Sequence, residues 1–180
     1  KTISEQRPEQ IIQSKKKPIT INQIRIMDFP KGLLGLRDKA LLLLGFATGM
    51  RRSELAAVRK EHIEVTKYGL RIRIPQSKSD QLGEGGSVDV IKAAMGRNQK
   101  HCPVKNVQEL MGENPYEHLF VRVRRVNTPG GYRKSKMLSE PNRFINRPLD
   151  GNGVYRIIKK YGAQVGLTPD DLGGHSLRAG

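Results

Sequence analysis

The sequence has no tryptophan, a single cysteine and few aromatic residues. Aromatic side chains make up 5% of the 180 residues, which disfavours a protein that binds single strands by stacking bases on aromatic rings. Because Cys102 is the only cysteine, neither an intrachain disulfide nor a cysteine-rich zinc site can form. A lone cysteine fits a reducing, intracellular compartment.

Long hydrophobic runs are also missing. The longest apolar run, residues 40–44, is far too short to span a membrane, and no signal peptide is visible. We therefore expect a cytoplasmic protein without a membrane partner. The length fits one domain, which needs no disulfide or metal to fold because it can bury roughly 70% of its unfolded surface.

Acidic residues are scarce relative to basic ones. The chain has 33 Lys and Arg against 17 Asp and Glu, a formal net charge of +16, and its pI is about 10.3. Such an excess repels itself unless a polyanion offsets it. Nucleic acid is therefore the leading partner, and the alternative from charge alone is a basic protein with no such partner.

Apolar periodicity predicts mostly helices. Thr20 is a candidate N-cap with Gln23 as its capping-box partner, so a short helix should begin at Ile21. Residues 36–47 are apolar on most sides, which is typical of a central core helix, and Thr48-Gly49 should end it. Further helices are predicted over residues 52–59, 102–111 and 153–161, from Thr168 onward, and from His175 onward.

One region changes to the two-residue period of strands. Leu70, Ile72 and Ile74 alternate with arginines, and Val88 and Val90 flank an aspartate in the same way, which predicts two half-buried strands. Residues 62–65 could supply a third, and the glycine-rich connection 76–86 is long for a hairpin and suggests function. The sequence thus predicts a mainly helical α+β domain with a small three-stranded antiparallel sheet at one edge.

Three short segments carry candidate chemistry. After the glycine break, Arg51 should lie at a helix start, where an arginine fork and backbone N–H groups bind phosphate, with Glu54 one turn on to orient it. Lys78 lies in the predicted hairpin connection, and His175 and Arg178 are three positions apart, so a helix would place them on one face. Each alone has an ordinary explanation: an intrahelical ion pair, a solvated lysine, a capping histidine beside a surface arginine.

In this order, the segments resemble those of the tyrosine recombinases, the superfamily of phage integrases and bacterial chromosome-dimer resolution enzymes. Ala-Thr-Gly-Met-Arg-Arg-Ser-Glu-Leu, residues 47–55, is similar to the family's first arginine box. Ser-Lys-Ser-Asp, residues 77–80, is similar to its β-hairpin lysine, and Gly-His-Ser-Leu-Arg-Ala-Gly, residues 174–180, to its His-x-x-Arg box. The resemblance runs over residues 18–180.

The resemblance implies site-specific DNA recombination or integration without metal or cofactor. In the family, a tyrosine attacks the scissile phosphate and leaves a 3′-phosphotyrosyl bond and a free 5′-hydroxyl. Arg51 and Arg178 would bind the non-bridging oxygens, Lys78 would be the general acid, and His175 would assist proton transfer. Glu54 would support Arg51. Two guanidinium groups doing the electrostatic work would leave no need for a Mg²⁺-binding carboxylate cluster.

The resemblance also predicts what a full-length protein would add. None of the five tyrosines matches the nucleophile, since all precede His175, so we expect residues 18–180 to be a catalytic domain incomplete at its C-terminus, able to bind DNA but not to cleave it. Residues 1–17 would be a linker from an N-terminal core-binding domain. The full-length protein is expected to bind double-stranded DNA, to form a tetramer on it and to associate with the nucleoid, and a bacterial or phage origin is expected.

Other cationic residues are candidate phosphate contacts, although each could simply be solvated. They are Arg52, Arg122, Arg124, Arg125, Arg133, Lys134 and Lys136. Three alternatives stay open: a type IB topoisomerase-like enzyme that relaxes supercoils, a non-catalytic nucleic-acid-binding protein, and a ribosomal-type RNA binder. The second predicts that Arg51, Lys78, His175 and Arg178 lie far apart, and the third predicts no large apolar helix.

Overall fold

The structure is a computed structural model that describes residues 16–74, 86–91, 99–125, 142–173 and 176–177. Within these ranges, helices alternate with two small antiparallel sheets, as predicted for a mainly helical α+β domain. In chain order the elements are α1 (Ile21–Ile26), α2 (Leu33–Thr48), α3 (Arg52–Ala57), β1 (Ile63–Val65), β2 (Gly69–Ile74), β3 (Gly86–Ile91), α4 (Pro103–Glu113), β4 (Val121–Arg125), β5 (Asn142–Pro148) and α5 (Gly151–Gln164).

Helix α1 begins with the predicted capping box. The Thr20 hydroxyl accepts a hydrogen bond from the Gln23 amide at 3.2 Å, and the Gln23 side chain accepts one from the Thr20 amide at 2.9 Å. These two bonds satisfy backbone donors that a helix start leaves without intrahelical partners. Ile24 is fully buried, so the short helix packs its apolar face onto the core.

Helix α2 is the central helix that the sequence predicts. Residues 40–44 are each at most 1% exposed, because a helix that is apolar on most sides must be covered on most sides. It packs against α4, α1 and α5 and ends at Gly49, whose φ of 62° lies in the left-handed region that glycine adopts without strain. No helix among the described residues is long and apolar enough to cross a membrane.

A buried polar network lies beside this helix. Asp38 is 1% exposed and accepts hydrogen bonds from Arg37 Nε and from the Tyr161 hydroxyl, each at 2.9 Å. Arg37 also donates to the Val121 carbonyl at 3.2 Å. Burial, together with the neighbouring Asp38 carboxylate, raises the pKa of Tyr161, which keeps its hydroxyl protonated as a donor. The network ties α2 to β4 and α5.

The predicted three-stranded sheet has the antiparallel order β1-β2-β3. Leu70 pairs with Val90 and Ile72 with Ile63, and these side chains lie on the core side of the sheet. On the outer face Arg71 binds Asp89, with Nε–Oδ1 at 2.8 Å. The pairing of β2 with β3 ends at Ile74 and Gly86, which residues 75–85 join in sequence.

A second sheet, β4 paired with β5, was not predicted from the sequence. The sequence predicted only a short apolar segment over residues 119–123, followed by a basic stretch. Strand β5 lacks the alternation of apolar and polar residues that predicts a strand, because Phe144 and Ile145 are adjacent and the strand ends at Pro148. Phe144 is 6% exposed, so one buried aromatic residue anchors the strand.

The helix predicted from Thr168 is wrong for the described residues, since 169–171 form a turn. Thr168 and Asp171 make reciprocal bonds like those of a helix start: the Asp171 amide donates to the Thr168 hydroxyl at 3.2 Å, and the Asp171 carboxylate accepts from the Thr168 amide at 2.9 Å. The Asp171 carbonyl, however, accepts from the Lys17 amide at 2.7 Å. That bond to a distant segment replaces the next helical one. The helix predicted from His175 lies largely outside the described residues.

Candidate active site

Arg51 stands at the break between α2 and α3. Gly49 ends α2, and Arg51 has the extended φ and ψ of −64° and 153° that are typical of an N-cap. Its carbonyl accepts the first bond of α3, from Leu55, at 2.8 Å. The predicted position of the arginine at the start of a helix is therefore confirmed.

Glu54 holds the Arg51 side chain. Its carboxylate accepts from Arg51 Nη1 at 2.9 Å and from the Arg51 backbone amide at 2.8 Å. The Glu54 side chain is 14% exposed and that of Arg51 is 45% exposed, so the carboxylate lies beneath a guanidinium that solvent can reach. The arrangement orients the cation, and it can present the cation to an anion.

The other three predicted catalytic residues, Lys78, His175 and Arg178, lie outside the described residues. The chain on both sides of Lys78 is described: β2 and β3 form the predicted hairpin. Between His175 and Arg178, Ser176 and Leu177 are also described, and both are buried.

Ser176 and Leu177 pack close to the Arg51 segment. A Cβ atom added to Gly45, in α2, would lie 2.8 Å from Leu177 Cδ1 and 3.0 Å from Leu55 Cδ2. Leu55 belongs to α3, the helix that Arg51 caps. The Ser176 carbonyl accepts from the Ile19 amide at 2.8 Å, and its hydroxyl accepts from the Gly173 amide at 2.9 Å. Residues 176–177 are therefore held against the end of α2 and the side of α3.

Three of the predicted phosphate contacts have described side chains. Arg52 is half-buried, with its guanidinium carbon 4.8 Å from the ring centre of Tyr155 in α5. Arg122 is half-buried and Arg124 is exposed, both on β4. Arg125 is the last residue of that strand, and only its backbone is described. Arg133, Lys134 and Lys136 lie outside the described residues.

The start of α5 brings these cations together. A Cβ atom added to Gly151 would lie 3.7 Å from the Ser53 amide nitrogen, so the first turns of α3 and α5 are in contact. The hydrogen bond from the Gly153 amide, with Arg122 and Arg156 nearby, lowers the pKa of the capping residue Asp150. Arg52, Arg122 and Arg156 thus surround the two adjoining helix starts.

Sequence reasoning missed the contribution of α5. Arg156 is exposed, and Lys159 Nζ lies 4.4 Å from the Tyr155 ring centre. The apolar residues Val154, Ile157 and Ile158 are buried. That stripe could have indicated which side of α5 faces solvent, but not that this side lies next to α3.

A separate cavity of about 510 Å³ lies between the α1–α2 connection and α4. Its lining includes Lys39, Lys100 and His101, together with Glu109, and includes none of those predicted site residues that the structure describes. Burial and the neighbouring Lys100 lower the pKa of Lys39. In the part of the chain that the structure describes, no three or more His, Cys, Asp or Glu side chains gather as a metal site.

The chain is similar to known proteins over most of its length. The model of the phage integrase family matches residues 19–180. The chain is 33% identical over 150 residues to an integrase/recombinase xerD homolog of Selenomonas ruminantium, a match that covers 82% of this chain and 39% of that protein. It is 27% identical over 169 residues to the tyrosine recombinase XerC of Herpetosiphon aurantiacus, with coverages of 90% and 44%.

A further similarity is to the tyrosine recombinase XerD of Xanthomonas campestris pv. campestris, at 28% identity over 147 residues. That match covers 81% of this chain and 38% of the relative. The chain therefore spans about two fifths of the length of these relatives.

Proposed function

Because this chain belongs to the phage integrase family of tyrosine recombinases, we propose that it forms the catalytic domain of a site-specific DNA recombinase. In the proposed reaction a tyrosine hydroxyl loses its proton to a general base as its oxygen attacks the scissile phosphorus, and the bond from phosphorus to the 5′ oxygen breaks. The 5′-hydroxyl leaves with a proton from a general acid, and the phosphate stays on the enzyme as a 3′-phosphotyrosyl ester. Attack by the 5′-hydroxyl of another strand reverses the chemistry and joins the exchanged ends.

The packing of Leu177 is the observation that supports the proposal most directly. Leu177 lies in the chain between His175 and Arg178, and its side chain packs beside Leu55 of the helix that Arg51 caps. Two motifs more than a hundred residues apart in sequence thus each place a leucine beside Gly45 of α2. Such packing favours a common pocket for their cationic side chains over separate surfaces.

In that pocket we assign the electrostatic work to the two arginines. Arg51 and Arg178 bind the non-bridging oxygens and stabilise the charge that develops in the transition state. Glu54 fixes the direction of Arg51 through the contacts at 2.9 and 2.8 Å, so little reorganisation is needed when the phosphate arrives. Lys78, on the β2–β3 connection, protonates the leaving 5′ oxygen, and His175 assists proton transfer.

Around this centre we propose that the substrate is duplex DNA. Arg52, Arg122 and Arg124 serve as phosphate contacts, joined by Arg156 and Lys159 of α5 and by the candidates outside the described residues. Residues 1–17 form the arm that leads into the catalytic unit, residues 18–180. The whole protein assembles as a tetramer on DNA and works in the cytoplasm at the nucleoid.

Capture of covalent DNA adducts tests the proposal. The protein expressed from its whole coding sequence is incubated with sheared genomic DNA in EDTA, denatured, and freed of unbound DNA, and the attached fragments are sequenced. A recombinase yields fragments attached through their 3′ ends at a small set of defined positions. The recovered duplex then serves as the substrate for binding and cleavage measurements.

Arg51→Ala is the informative variant. We expect cleavage to fall by about two to three orders of magnitude, as when one donor to a transition-state oxyanion is removed, while the Kd for DNA changes far less. Arg25→Ala removes an exposed arginine of α1 and should leave both quantities unchanged. Adducts at scattered positions with plasmid relaxation indicate a topoisomerase-like enzyme, and binding without any adduct indicates a non-catalytic protein.

A further inference from the structure

Tyr155 lies where three parts of the candidate site meet. It belongs to α5, its ring is contacted by Arg52 of α3, and its hydroxyl donates to the Leu172 carbonyl at 3.0 Å. Lys159, one turn further along α5, also lies over the ring. The side chain is half-buried. It therefore touches both of the segments that flank the proposed phosphate pocket.

The hydroxyl group fixes the start of the turn that carries the second motif. Leu172 is 1% exposed and packs on α5, where a Cβ atom added to Gly162 would lie 2.5 Å from its Cδ1. The next residue, Gly173, donates to the Ser176 hydroxyl at 2.9 Å and accepts from the Ser176 amide at 3.3 Å. Anchoring the Leu172 carbonyl therefore anchors one end of a turn whose other end is Ser176.

The Tyr155 ring holds the start of α3, next to Arg51 of the first motif. A guanidinium over an aromatic ring is attracted by the negative charge on the ring face. Arg52 directly follows Arg51, and the α3 backbone at Ser53 is already in contact with the first turn of α5. Holding Arg52 on the ring therefore limits rotation of the α3 start relative to α5.

We propose that Tyr155 is a positioning residue for the strand-transfer reaction, setting the distance between Arg51 and the turn that contains Ser176 and Leu177. The inference rests on the proposed function. Tyr155 contacts the two segments through different groups, Arg52 through its ring and Leu172 through its hydroxyl. It acts on the reaction through these neighbours and not by contact with the scissile phosphate.

The two contacts can be separated by substitution. Tyr155→Phe keeps the ring and removes only the hydroxyl bond to Leu172, so cleavage at saturating DNA should slow about fivefold, the effect of one ordinary hydrogen bond, with Kd unchanged. Tyr155→Leu also removes the surface on which Arg52 lies and should in addition weaken binding about threefold. Tyr116→Phe is the matched control, because Tyr116 is a half-buried tyrosine outside α3, α5 and the turn.

Cleavage of the captured duplex by the protein from the whole coding sequence gives the first readout. A cleavage rate for Tyr155→Phe equal to that of the unsubstituted protein overturns the inference. So does a slower rate accompanied by proportional losses of DNA affinity and melting temperature, because that pattern describes a residue needed only for folding.

Amide hydrogen exchange of the 180-residue chain gives a second readout that needs no catalysis. Tyr155→Phe should accelerate exchange at the amides of Ser176 and Ile19, which donate to Gly173 and to Ser176, while the melting temperature falls by only the few degrees that the loss of one hydrogen bond causes. Complete absence of adducts from the unsubstituted protein defeats the proposed function alone. In that case unchanged exchange at Ser176 overturns the positioning role, and accelerated exchange upholds the coupling of Tyr155 to this turn.

Discussion

Asp38 is a charged residue buried in the core, and its neighbours determine how far the free-energy cost of burying it is offset. It is 1% exposed and is bound by Arg37 and by the Tyr161 hydroxyl, with Lys160 Nζ at 3.3 Å. Removing one member of a buried ion pair costs more than the pair itself contributes, because the remaining charge keeps its desolvation penalty. A single substitution in the Arg37–Asp38 pair would therefore leave a buried charge without its partner, and that is its main effect on stability.

We expect Asp38→Ala to lower the free energy of unfolding by about 3–5 kcal/mol, because the buried Arg37 guanidinium would lose its carboxylate partner. Tyr161→Phe removes a hydroxyl that donates to the Asp38 carboxylate but leaves the Arg37–Asp38 pair intact, and it should cost about 1.5–3 kcal/mol. Urea denaturation measures both. Asp89→Ala, which breaks the exposed pair with Arg71, is the control and should hardly move the midpoint. Equal losses in Asp38→Ala and Asp89→Ala would contradict the argument.

Asp171 supplies a pH-dependent tether for the segment that enters the domain. The Lys17 ammonium, followed by the amide and hydroxyl of Thr168, lowers the pKa of Asp171 to about 2. Since an unperturbed aspartate has a pKa of about 3.9, the unfolded chain binds a proton at Asp171 more tightly than the folded chain does. The stabilisation is therefore complete at neutral pH and is lost as pH falls from about 4 towards 2.

Asp171→Asn should accordingly unfold at a lower urea concentration than the unsubstituted protein at pH 7. The difference between the two midpoints should shrink below about pH 4, where the unfolded reference takes up its proton. Denaturation curves at a series of pH values check this result. Lys17→Ala removes the largest cause of the shift and should show the same trend, whereas a difference that is constant with pH would rule out the tether.

At the scale of elements, the sequence predicted those helices and strands that form because of signals within a few neighbouring residues. The all-apolar run of α2, the capping box at Thr20 and the alternation in β2 each carry their signal within a few residues, and each is confirmed. Strand β5 forms because β4, which is distant in sequence, pairs with it. The turn at Thr168 does not continue as a helix because the Lys17 amide donates a hydrogen bond to the Asp171 carbonyl. Neither partner can be read from the segment itself.

The β2–β3 hairpin offers a matched pair of glycines. At Gly69 an added Cβ would lie 1.9 Å from the Val90 carbonyl oxygen, whereas at Gly86 it would meet no atom of the described residues within 4 Å. The methyl group of Gly69→Ala must displace the backbone of β3, so we expect the substitution to lower the free energy of unfolding by about 1–3 kcal/mol. Gly86→Ala should be close to neutral. Urea denaturation compares the two, and similar midpoints would show that β3 does not approach Gly69 so closely.

At the scale of the whole molecule, the sequence predicted the Arg51–Glu54 contact but not the packing between distant segments that surrounds it. The order of the motifs and the Arg51–Glu54 contact follow from spacing and residue type. The packing of Leu177 beside Leu55, and the link from Arg52 through Tyr155 to Leu172, join segments from both ends of the chain. Such contacts depend on how helices pack, and helix packing leaves no signature in a single segment.

The net charge of +16 has a consequence that does not depend on catalysis. Cations that contact phosphates release counterions, so the logarithm of the binding constant should fall with the logarithm of salt concentration by about 0.9 per contact. If the cations around the α3 and α5 starts and those of β4 contact DNA as proposed, they would supply several such contacts. About six contacts would weaken binding roughly a thousandfold between 50 and 200 mM salt.

We therefore expect the 180-residue chain to bind a short fluorescent duplex with a steep salt dependence, measured by anisotropy. Arg52→Ala, Arg122→Ala and Arg156→Ala should each weaken binding similarly on unrelated sequences and each reduce the slope by about one, as the loss of a phosphate contact does. Lys105→Ala, on the exposed side of α4, should change neither. If the arginine variants lower affinity but keep the full slope, then the adjoining starts of α3 and α5 support the fold without touching the DNA backbone, and the DNA-binding surface lies elsewhere.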